Sequence, residues 1–445
     1  MTNNLTTGNE TRVMLRFSIP FIIGNLLQQI YNIADTFIVG HFLGSNALAA
    51  VGSAYAFIVL FTSIILGLCI GSGIVFSQLF GEKNIGQLKT AIWNGLVFVF
   101  AVTCLIFCVS FFLLDQFLLL LQVPESIFED TKLYIQIILY GLFFTFLYNF
   151  GAAIIRSIGN SLIPLLFLVI ASVINIVLDI VLIVAFHMGV AGAAIATVIA
   201  QTVSAILIVG YYQMKIPMLR LKRENLRLDR ELLKRVASNS VLNSIQQSIM
   251  NFGILMVQGL VNSFGVSAMA AFAAGVKIDA FAYMPVQDFG NAFSTYIAQN
   301  YGARKMGRIK TGIRQAMKLS LSFSAVVSLL IFLFAEQLMG IFVREEEIIQ
   351  IGASYLRIEG VFYMGIGLLF LLYGLYRGLG KAQMSIVLTV ISLGSRVLLA
   401  YVLAPIPRIG LSGIWWAIPI GWILADLTGL LYWKRCQKAW KNLNE

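Results

Sequence analysis

A stripe of polar side chains follows the first long apolar segment of the chain. Asn25, Gln28, Asn32 and Asp35 recur at spacings of three, four and three residues, so they share one face of a helix. In a membrane, a central aspartate costs roughly 2.5–3.5 kcal/mol on insertion scales, and such a residue marks a functional site by default. We therefore ask whether this segment spans a membrane and whether other segments carry matching polar faces.

The composition is that of a membrane protein. Hydrophobic residues make up 59% of the 445 residues, charged residues only 11%, and the mean hydropathy is +0.88. A soluble protein carries about a quarter charged residues. The apolar runs are long enough for membrane-spanning helices and too long for the strands of a β-barrel. The twelve runs cover residues 14–38, 47–75, 91–114, 131–153, 162–186, 190–212, 236–263, 268–298, 312–337, 349–374, 384–404 and 411–433.

The net charge of +11 is concentrated in alternate connections between these runs. Lysine and arginine cluster at the N-terminus, in residues 215–235 and 304–318, and in the tail from Lys434. By the positive-inside rule these regions and both termini are cytoplasmic, which requires an even number of spans. We expect a multi-pass protein of the cell membrane, namely the inner membrane of a bacterium. We expect no nucleic-acid partner. The four cysteines and two histidines do not form a usual zinc site,, so no bound cofactor is expected.

The chain contains an internal repeat at an offset of 221 residues. The segment Gly81–Thr90 returns as Gly302–Thr311, and Arg156-Ser-Ile-Gly159 returns as Arg377-Gly-Leu-Gly380. Each copy holds six predicted spans, so both enter the membrane in the same orientation, related by a pseudo-two-fold axis along the membrane normal. The predicted organisation is an N-terminal six-helix bundle (1–212), a basic cytoplasmic linker (213–235), a C-terminal six-helix bundle (236–434) and a cytoplasmic tail (435–445).

Several motifs give the chain a resemblance to a known family. They are Asn-x-x-Asp-Thr-x-x-Val-Gly (32–40), Gly44 with Ala47-Leu-Ala-Ala-Val-Gly52, Gln78-x-x-Gly81, Arg156-Ser-x-Gly-Asn160 and the Gly-Ala-Ala-x-Ala-Thr run ending at Thr197. In this order they resemble the multidrug and toxic compound extrusion (MATE) family over essentially the whole length. The resemblance implies an all-α polytopic membrane protein with 12 transmembrane helices in two pseudo-symmetric six-helix bundles.

Two further segments of the first half carry polar faces. Asp179 follows Asn175 by four residues, and Gln201 follows Thr197 by four. Polar faces must turn away from lipid, which satisfies no hydrogen bond. If the faces meet, Asp35, Asn32, Asn175, Asp179 and Thr197 form a pocket that binds a proton or Na⁺; the alternative is a structural network that fixes helix packing. In the MATE family, positions resembling Asp35, Asn175, Asp179 and Thr197 form the proton or sodium site of the N-terminal lobe.

The second half breaks this symmetry. Its first helix repeats the amides as Asn243, Gln246, Gln247 and Asn251 but has no acid, and Arg396 and Ala400 replace Asn175 and Asp179. Its own charges include Lys277, Asp279, Asp288, Glu359 and Asp426. We expect Lys277, Arg396, Asp279, Asp288 and Glu359 to neutralise one another, or Asp279 and Asp288 to contact substrate or ion. NorM-type members of the MATE family carry acids on their seventh and tenth helices, where this chain has Gln258 and Ile366. The resemblance is therefore closer to the members that couple through the N-terminal lobe.

The substrate cavity is expected between the halves, lined by amides, methionines, aromatics and a few charges. Such surfaces accept varied apolar and cationic ligands. The candidates are Gln28, Tyr31, Tyr55, Asn149, Asn243, Gln247, Met250, Lys277, Asp279, Tyr283, Met284, Gln287, Asp288 and Asn291. Pro20 and Pro285 are candidate hinges, since proline kinks a helix.

The function predicted from these features is a secondary-active multidrug antiporter. It exports amphipathic, mainly cationic organic compounds in exchange for H⁺ or Na⁺, and the export direction comes from the resemblance. No Walker-A loop or hydrolase motif is present in the sequence,, so we expect neither direct ATP use nor an enzyme. Two alternatives stay open: a lipid-linked oligosaccharide or polysaccharide flippase of the same superfamily, and a membrane receptor without transport. The expected partners are drugs and membrane lipids, and the expected functional form is a monomer.

Overall fold

The fold is built from long helices joined by short turns. A computed structural model describes residues 4–120 and 123–442; helices account for 88% of the structure, and no strand occurs in these residues. The first three residues of the predicted N-terminal bundle and the last three of the predicted tail lie outside the described residues. The first half contains α1 (Glu10–Leu43), α2 (Ser45–Gly81), α3 (Ile85–Phe112), α4 (Leu114–Leu120), α5 (Glu125–Ser157), α6 (Leu162–Ile180) and α7 (Gly189–Lys215). The second contains α8 (Arg230–Asn262), α9 (Val266–Gly302), α10 (Met306–Gly340), α11 (Glu346–Val361), α12 (Tyr363–Gly378), α13 (Ala382–Leu403) and α14 (Leu411–Asn442).

Most of the predicted spans are helices of membrane-crossing length. In the described residues, ten helices are long and apolar enough to cross a membrane, and the pair α11–α12 becomes an eleventh if it forms one bent span. The remaining predicted span corresponds to α8, which has 33 residues. It carries four amides from Asn243 to Asn251 and is not among the helices that are apolar enough to cross a membrane. The exact number of twelve spans stays a prediction.

The repeat is visible in the backbone of the turns. Gly44 and Gly265 precede α2 and α9 with φ of 85° and 98°, a region that glycine occupies without steric cost,. Lys83 and Arg304, which are also 221 residues apart, both adopt positive φ, at 58° and 55°. Non-glycine residues rarely occupy this region, so the shared outliers indicate that the two copies make the same turns.

The chain divides into two compact units. The first unit comprises Ile19–Ser244 with the start of the chain up to Asn4, and the second comprises Leu5–Ser18 with the chain from Ile245 onward. Helix α1 therefore begins in the second unit and continues in the first, whereas α8 begins in the first and continues in the second.

In the first unit, α5 packs against α2 and α7, and α6 packs against α7. Two glycines on α2 allow close packing of the first part of α8. A Cβ on Gly67 would lie 2.4 Å from Ser244 Cα, and one on Gly71 would lie 2.4 Å from the backbone oxygen of Asn239. Small residues at such positions let helix backbones approach each other in membranes. A hydrogen bond of 2.9 Å joins the hydroxyl groups of Ser72 and Ser240 beside this contact.

In the second unit, α9 packs against α12 and α13 packs against α14. The segment before α1 is bound to the end of α9 and to the turn that follows it. The backbone N–H of Leu5 donates to Gln299 Oε1 (3.1 Å), and Lys305 Nζ donates to the backbone oxygen of Thr6 (2.7 Å). Arg308 donates to the backbone oxygen of Gly8 (2.7 Å) and forms an ion pair with Glu10 (3.3 Å). These contacts fix the start of α1.

Candidate ion site in the first unit

Three helices of the first unit bring together the two acids predicted from the sequence. Asp35 lies on α1, Asn175 and Asp179 on α6, and Thr197 on α7. Immediately after Asp179, α6 continues as a π-helical turn from Val181 to Ala185. Such turns are rare and often occur at functional sites. The apolar sequence of this turn gives no sign of the change in helix geometry.

The carboxyl groups of Asp35 and Asp179 lie close enough for a hydrogen bond to form between them when one of the two is protonated. The Asp179 side chain is completely buried, whereas Asp35 is half-buried. Ionised carboxylates only accept hydrogen bonds, so this contact requires a proton or a cation between the two groups. One oxygen of each, the Oδ1 atom, has no hydrogen-bond partner among the described residues.

Asn175 connects Asp179 to α7. Two orientations of its amide are possible, and only one avoids placing the amide oxygen against the carboxylate. In that orientation the nitrogen donates to Asp179 Oδ2 (3.2 Å) and the oxygen accepts from the backbone N–H of Thr197 (3.3 Å). In the opposite orientation these two hydrogen bonds are lost, and the amide nitrogen donates one long hydrogen bond of 3.4 Å to the Thr197 hydroxyl. The first orientation satisfies both amide groups, and Asn175 then holds one oxygen of Asp179.

Other polar groups surround this pair. Asn32, one turn before Asp35, is half-buried, and its backbone oxygen accepts a hydrogen bond of 2.8 Å from the hydroxyl of Thr36; its membership of the ion site stays a prediction. Tyr31 and Tyr134 both lie within electrostatic range of the two acids. Tyr134 was not predicted, because a single tyrosine in an apolar run carries no periodic signal.

The cavity candidates of the first unit differ in exposure. Gln28 and Tyr55 are exposed, and Tyr31 is half-buried. Asn149 and the buried Asn243 donate to backbone oxygens one turn earlier on their own helices, those of Thr145 and Asn239, each at 2.8 Å. Their contribution to a substrate cavity stays a prediction.

The candidates of the second unit also differ in exposure. Lys277 is exposed, and Asp279 and Asp288 are buried. The half-buried members are Gln247, Met250, Tyr283, Met284, Gln287 and Asn291. Pro20 and Pro285 lie inside α1 and α9, which continue through them, and their roles as hinges stay predictions.

Three of the five side chains expected to neutralise one another in the second unit lie near each other, and their neutralisation stays a prediction. Asp279 and Glu359 are close enough to interact electrostatically with each other and with Arg396, and all three are buried. The exposed Lys277 is not among their partners. Asp288 is buried elsewhere on α9 and has its own interactions. In the described residues, no group of three or more His, Cys, Asp or Glu side chains could hold a metal ion.

Long apolar helices and a structural repeat define the molecule as a multi-pass membrane protein. Comparison with known proteins identifies the family. The model of the MatE family matches residues 20–181 and 240–402, one match in each repeat. The chain therefore belongs to the MATE family, as the sequence motifs predicted. Members of this family are transporters, not enzymes, and use ion gradients rather than bound cofactors.

Relatives and solved structures match nearly the whole chain. It is 29% identical over 439 residues to the Probable multidrug resistance protein YoeA of Bacillus subtilis, covering 97% of this chain and 94% of that protein. It is 24% identical to the Multidrug export protein MepA of Staphylococcus saprophyticus, covering 94% and 92%. The crystal structure of a MATE protein in the bent conformation matches with a TM-score of 0.94 and 25% identity, covering 99% of this chain and 98% of that one.

Proposed function

We propose that this protein is a secondary-active multidrug antiporter that exports amphipathic, mainly cationic organic compounds in exchange for a proton or Na⁺. The contact between Asp35 and Asp179 is the observation that carries this proposal. Two acids that lie this close inside a helical unit favour binding of a positive charge, and the Oδ1 atom of each has no hydrogen-bond partner among the described residues. The relatives named for multidrug resistance and multidrug export support drugs as the exported substrates.

The proton is the first candidate for the coupling ion. A single proton is sufficient to join two carboxyl groups in contact, because one then donates to the other. A sodium ion would need several oxygen ligands. In the favoured orientation, Asn175 directs its nitrogen to Asp179 and its oxygen to the backbone of α7. Sodium is the second candidate, with Asp35, Asn175, Asp179 and Thr197 as its ligands after the amide has turned.

Antiport follows if ion and drug stabilise different states of the transporter. A ligand shifts a conformational equilibrium only by its difference in affinity for the two states. A pair with both acids ionised attracts a cationic drug more strongly than a pair that holds one proton, so proton binding weakens that attraction. The drug and the ion thereby compete for the same negative charge, and one gradient can drive the other.

The positive-inside pattern supports a topology with both termini in the cytoplasm of a bacterial cell, and we propose that the monomer is the functional form. In that topology the exported drug leaves the cytoplasm and the coupling ion enters it. No nucleic acid takes part, and membrane lipids surround the helices.

Transport in reconstituted vesicles tests the proposal and identifies the ion. Purified protein is placed in vesicles loaded with ethidium, and either a pH gradient or a sodium gradient is imposed. We expect one of the two gradients to drive ethidium movement against its concentration, and vesicles without protein serve as the control. Ethidium movement that follows neither gradient would refute ion-coupled export.

A further inference from the structure

The second unit contains a cluster of buried polar groups that the proposed antiport does not use. Asp279 on α9, Glu359 on α11 and Arg396 on α13 are exposed by 6%, 2% and 9%. Tyr355 and Tyr363, also buried, both donate hydrogen bonds to Asp279. We name these five side chains the acid–arginine cluster.

The cluster has an excess of negative charge. Arg396 can neutralise one of the two carboxylates, so the fully ionised cluster carries one uncompensated charge. None of the ion pairs in the described part of the chain includes Arg396, so its interaction with both acids takes place over a longer distance. Buried charges are costly unless they are paired and hydrogen-bonded.

The hydrogen bonds of the cluster are distributed unequally between the acids. Each oxygen of Asp279 accepts one tyrosine hydroxyl, from Tyr355 at 3.4 Å or from Tyr363. The Oε2 atom of Glu359 and the Nε atom of Arg396, in contrast, have no hydrogen-bond partner among the described residues. Glu359 is therefore the carboxyl group with a free oxygen that can bind a proton.

The charged side chains described on the neighbouring helices interact mainly with other groups. Among the described residues, the interaction partners of Glu359 are Asp279, Arg396 and Tyr355. On α10, which packs against α11, Glu336 pairs with Arg357 at 2.9 Å instead. On α14, Asp426 interacts with Tyr373, and on α9 Tyr283 interacts with Tyr363. Aromatic rings close the site, with Tyr355 packed against Phe272 and Trp415.

The cluster lies at a break in a membrane span. Helices α11 and α12 meet at Phe362 at an angle of 54°. Glu359 lies in the last turn of α11, and Tyr363 is the first residue of α12. Asp279 therefore bonds to both sides of the break, through Tyr355 and Tyr363. In secondary transporters, interrupted helices occur where substrates and coupling ions bind.

We propose that the acid–arginine cluster is a second proton-binding site, in which Asp279 and Glu359 together hold one proton that exchanges with bulk water. The proton binds a carboxylate oxygen and leaves the cluster neutral beside Arg396. It comes from water and returns to it, so no other reactant is needed. The occupant is a proton rather than a metal cation, because the guanidinium group of Arg396 would repel a second cation in the same site.

Infrared spectroscopy of the purified full-length protein tests this proposal independently of transport. The C=O stretch of protonated carboxyl groups is measured in protein that carries Asp35→Asn and Asp179→Asn, so the first unit does not contribute. We expect Glu359→Gln to remove the absorbance of one protonated carboxyl group. We expect Asp279→Asn to remove the same absorbance, because the remaining acid is then neutralised by Arg396 and needs no proton.

Further variants distinguish a shared proton from two independent ones. The double variant Asp279→Asn with Glu359→Gln should lose no more absorbance than either single variant. Arg396→Gln should gain the absorbance of one carboxyl group, because both acids then need a proton, whereas Arg396→Lys should not. Glu336→Gln, the same substitution at a half-buried glutamate that pairs with Arg357 outside the cluster, is the matched control and should change nothing. The gain in Arg396→Gln keeps the proposal testable if either single-acid variant aggregates.

Two results would overturn the proposal. If neither Glu359→Gln nor Asp279→Asn lowers the absorbance, the cluster binds no proton. If the absorbance persists unchanged from mildly acidic to strongly alkaline buffer, the proton does not exchange. Neither measurement depends on whether Asp35 and Asp179 couple transport. Failure of the antiport proposal can therefore be distinguished from failure of the proposal for the acid–arginine cluster.

Discussion

The substitution Asp35→Asn should uncouple drug export from the ion gradient. An amide at position 35 can donate a hydrogen bond to Asp179, which already accepts one from Asn175 at 3.2 Å. Asp179 then remains in contact with position 35 without binding a proton. The variant changes only a few atoms and keeps the size of the side chain, so the helices should pack as before.

The size of the effect follows from one proton per carboxyl pair. A pH difference of one unit provides about 1.4 kcal/mol for each proton exchanged, which corresponds to about a tenfold drug gradient. Loss of one exchanged proton should therefore lower the slope of the logarithm of the ethidium ratio against the pH difference by one. If sodium is the coupling ion, the same fall should appear against the logarithm of the sodium ratio.

The assay is the steady-state ethidium ratio across vesicles at several imposed gradients. Asp115→Asn is the matched control, because Asp115 is half exposed and forms an ion pair of 2.7 Å with Lys132 away from the pair. Its slope should equal that of the wild type. An unchanged slope in Asp35→Asn, with normal amounts of folded protein, would refute the coupling role of the carboxyl pair.

Two further substitutions test how the helices are held in place. Gly71→Ala should lower the free energy of unfolding by about 1–3 kcal/mol, because its Cβ would lie 2.4 Å from the backbone oxygen of Asn239; thermal unfolding in detergent measures this. Gly86→Ala, with no atom nearer than 3.9 Å, is the control, and equal melting temperatures would contradict the packing argument. Arg308→Gln should release the segment before α1 and speed its cleavage by protease, whereas the exposed Arg314→Gln should not. Equal cleavage in both variants would show that the bonds of Arg308 do not hold the segment.

The position of the carboxyl pair could be predicted because lipid constrains polar groups so strongly. Asp35 and Asp179 are far apart in the sequence, but each continues a polar stripe on an apolar helix. Such stripes must face other helices, since lipid offers no hydrogen bonds. This constraint brings stripes together without knowledge of the remaining packing, and in the structure the two acids lie near each other.

Local backbone changes could not be predicted in the same way. The predicted span 349–374 is divided at Phe362 into α11 and α12, although no proline is present in that run. The π-helical turn after Asp179 also lies in an uninterrupted apolar sequence. The break at Phe362 lies between Tyr355 and Tyr363, which both donate to Asp279 on another helix. Periodicity along one segment carries no information about such contacts.

The assignment of the first residues to the second unit was also beyond local patterns. The segment from Leu5 to Glu10 has no apolar periodicity, and its bonds are to Gln299, Lys305 and Arg308. The repeat offers a partial guide, since Gln299 corresponds to Gln78. In the first unit, Gln78 accepts a hydrogen bond of 2.7 Å from Arg235, which lies near the start of α8. The two glutamines thus bind the segment before α1 and the first turns of α8.

The same correspondence explains why the two units differ in charge. Arg396 occupies the repeat position of Asn175, so both units have a polar side chain at the same point of equivalent helices. In the first unit the amide binds a neighbouring acid without changing its charge, and the carboxyl pair with one proton still carries one negative charge. In the second unit the guanidinium cancels one acid, so the cluster with one proton is neutral. If each unit holds one proton as proposed, a cationic drug should be attracted by the first unit and not by the second.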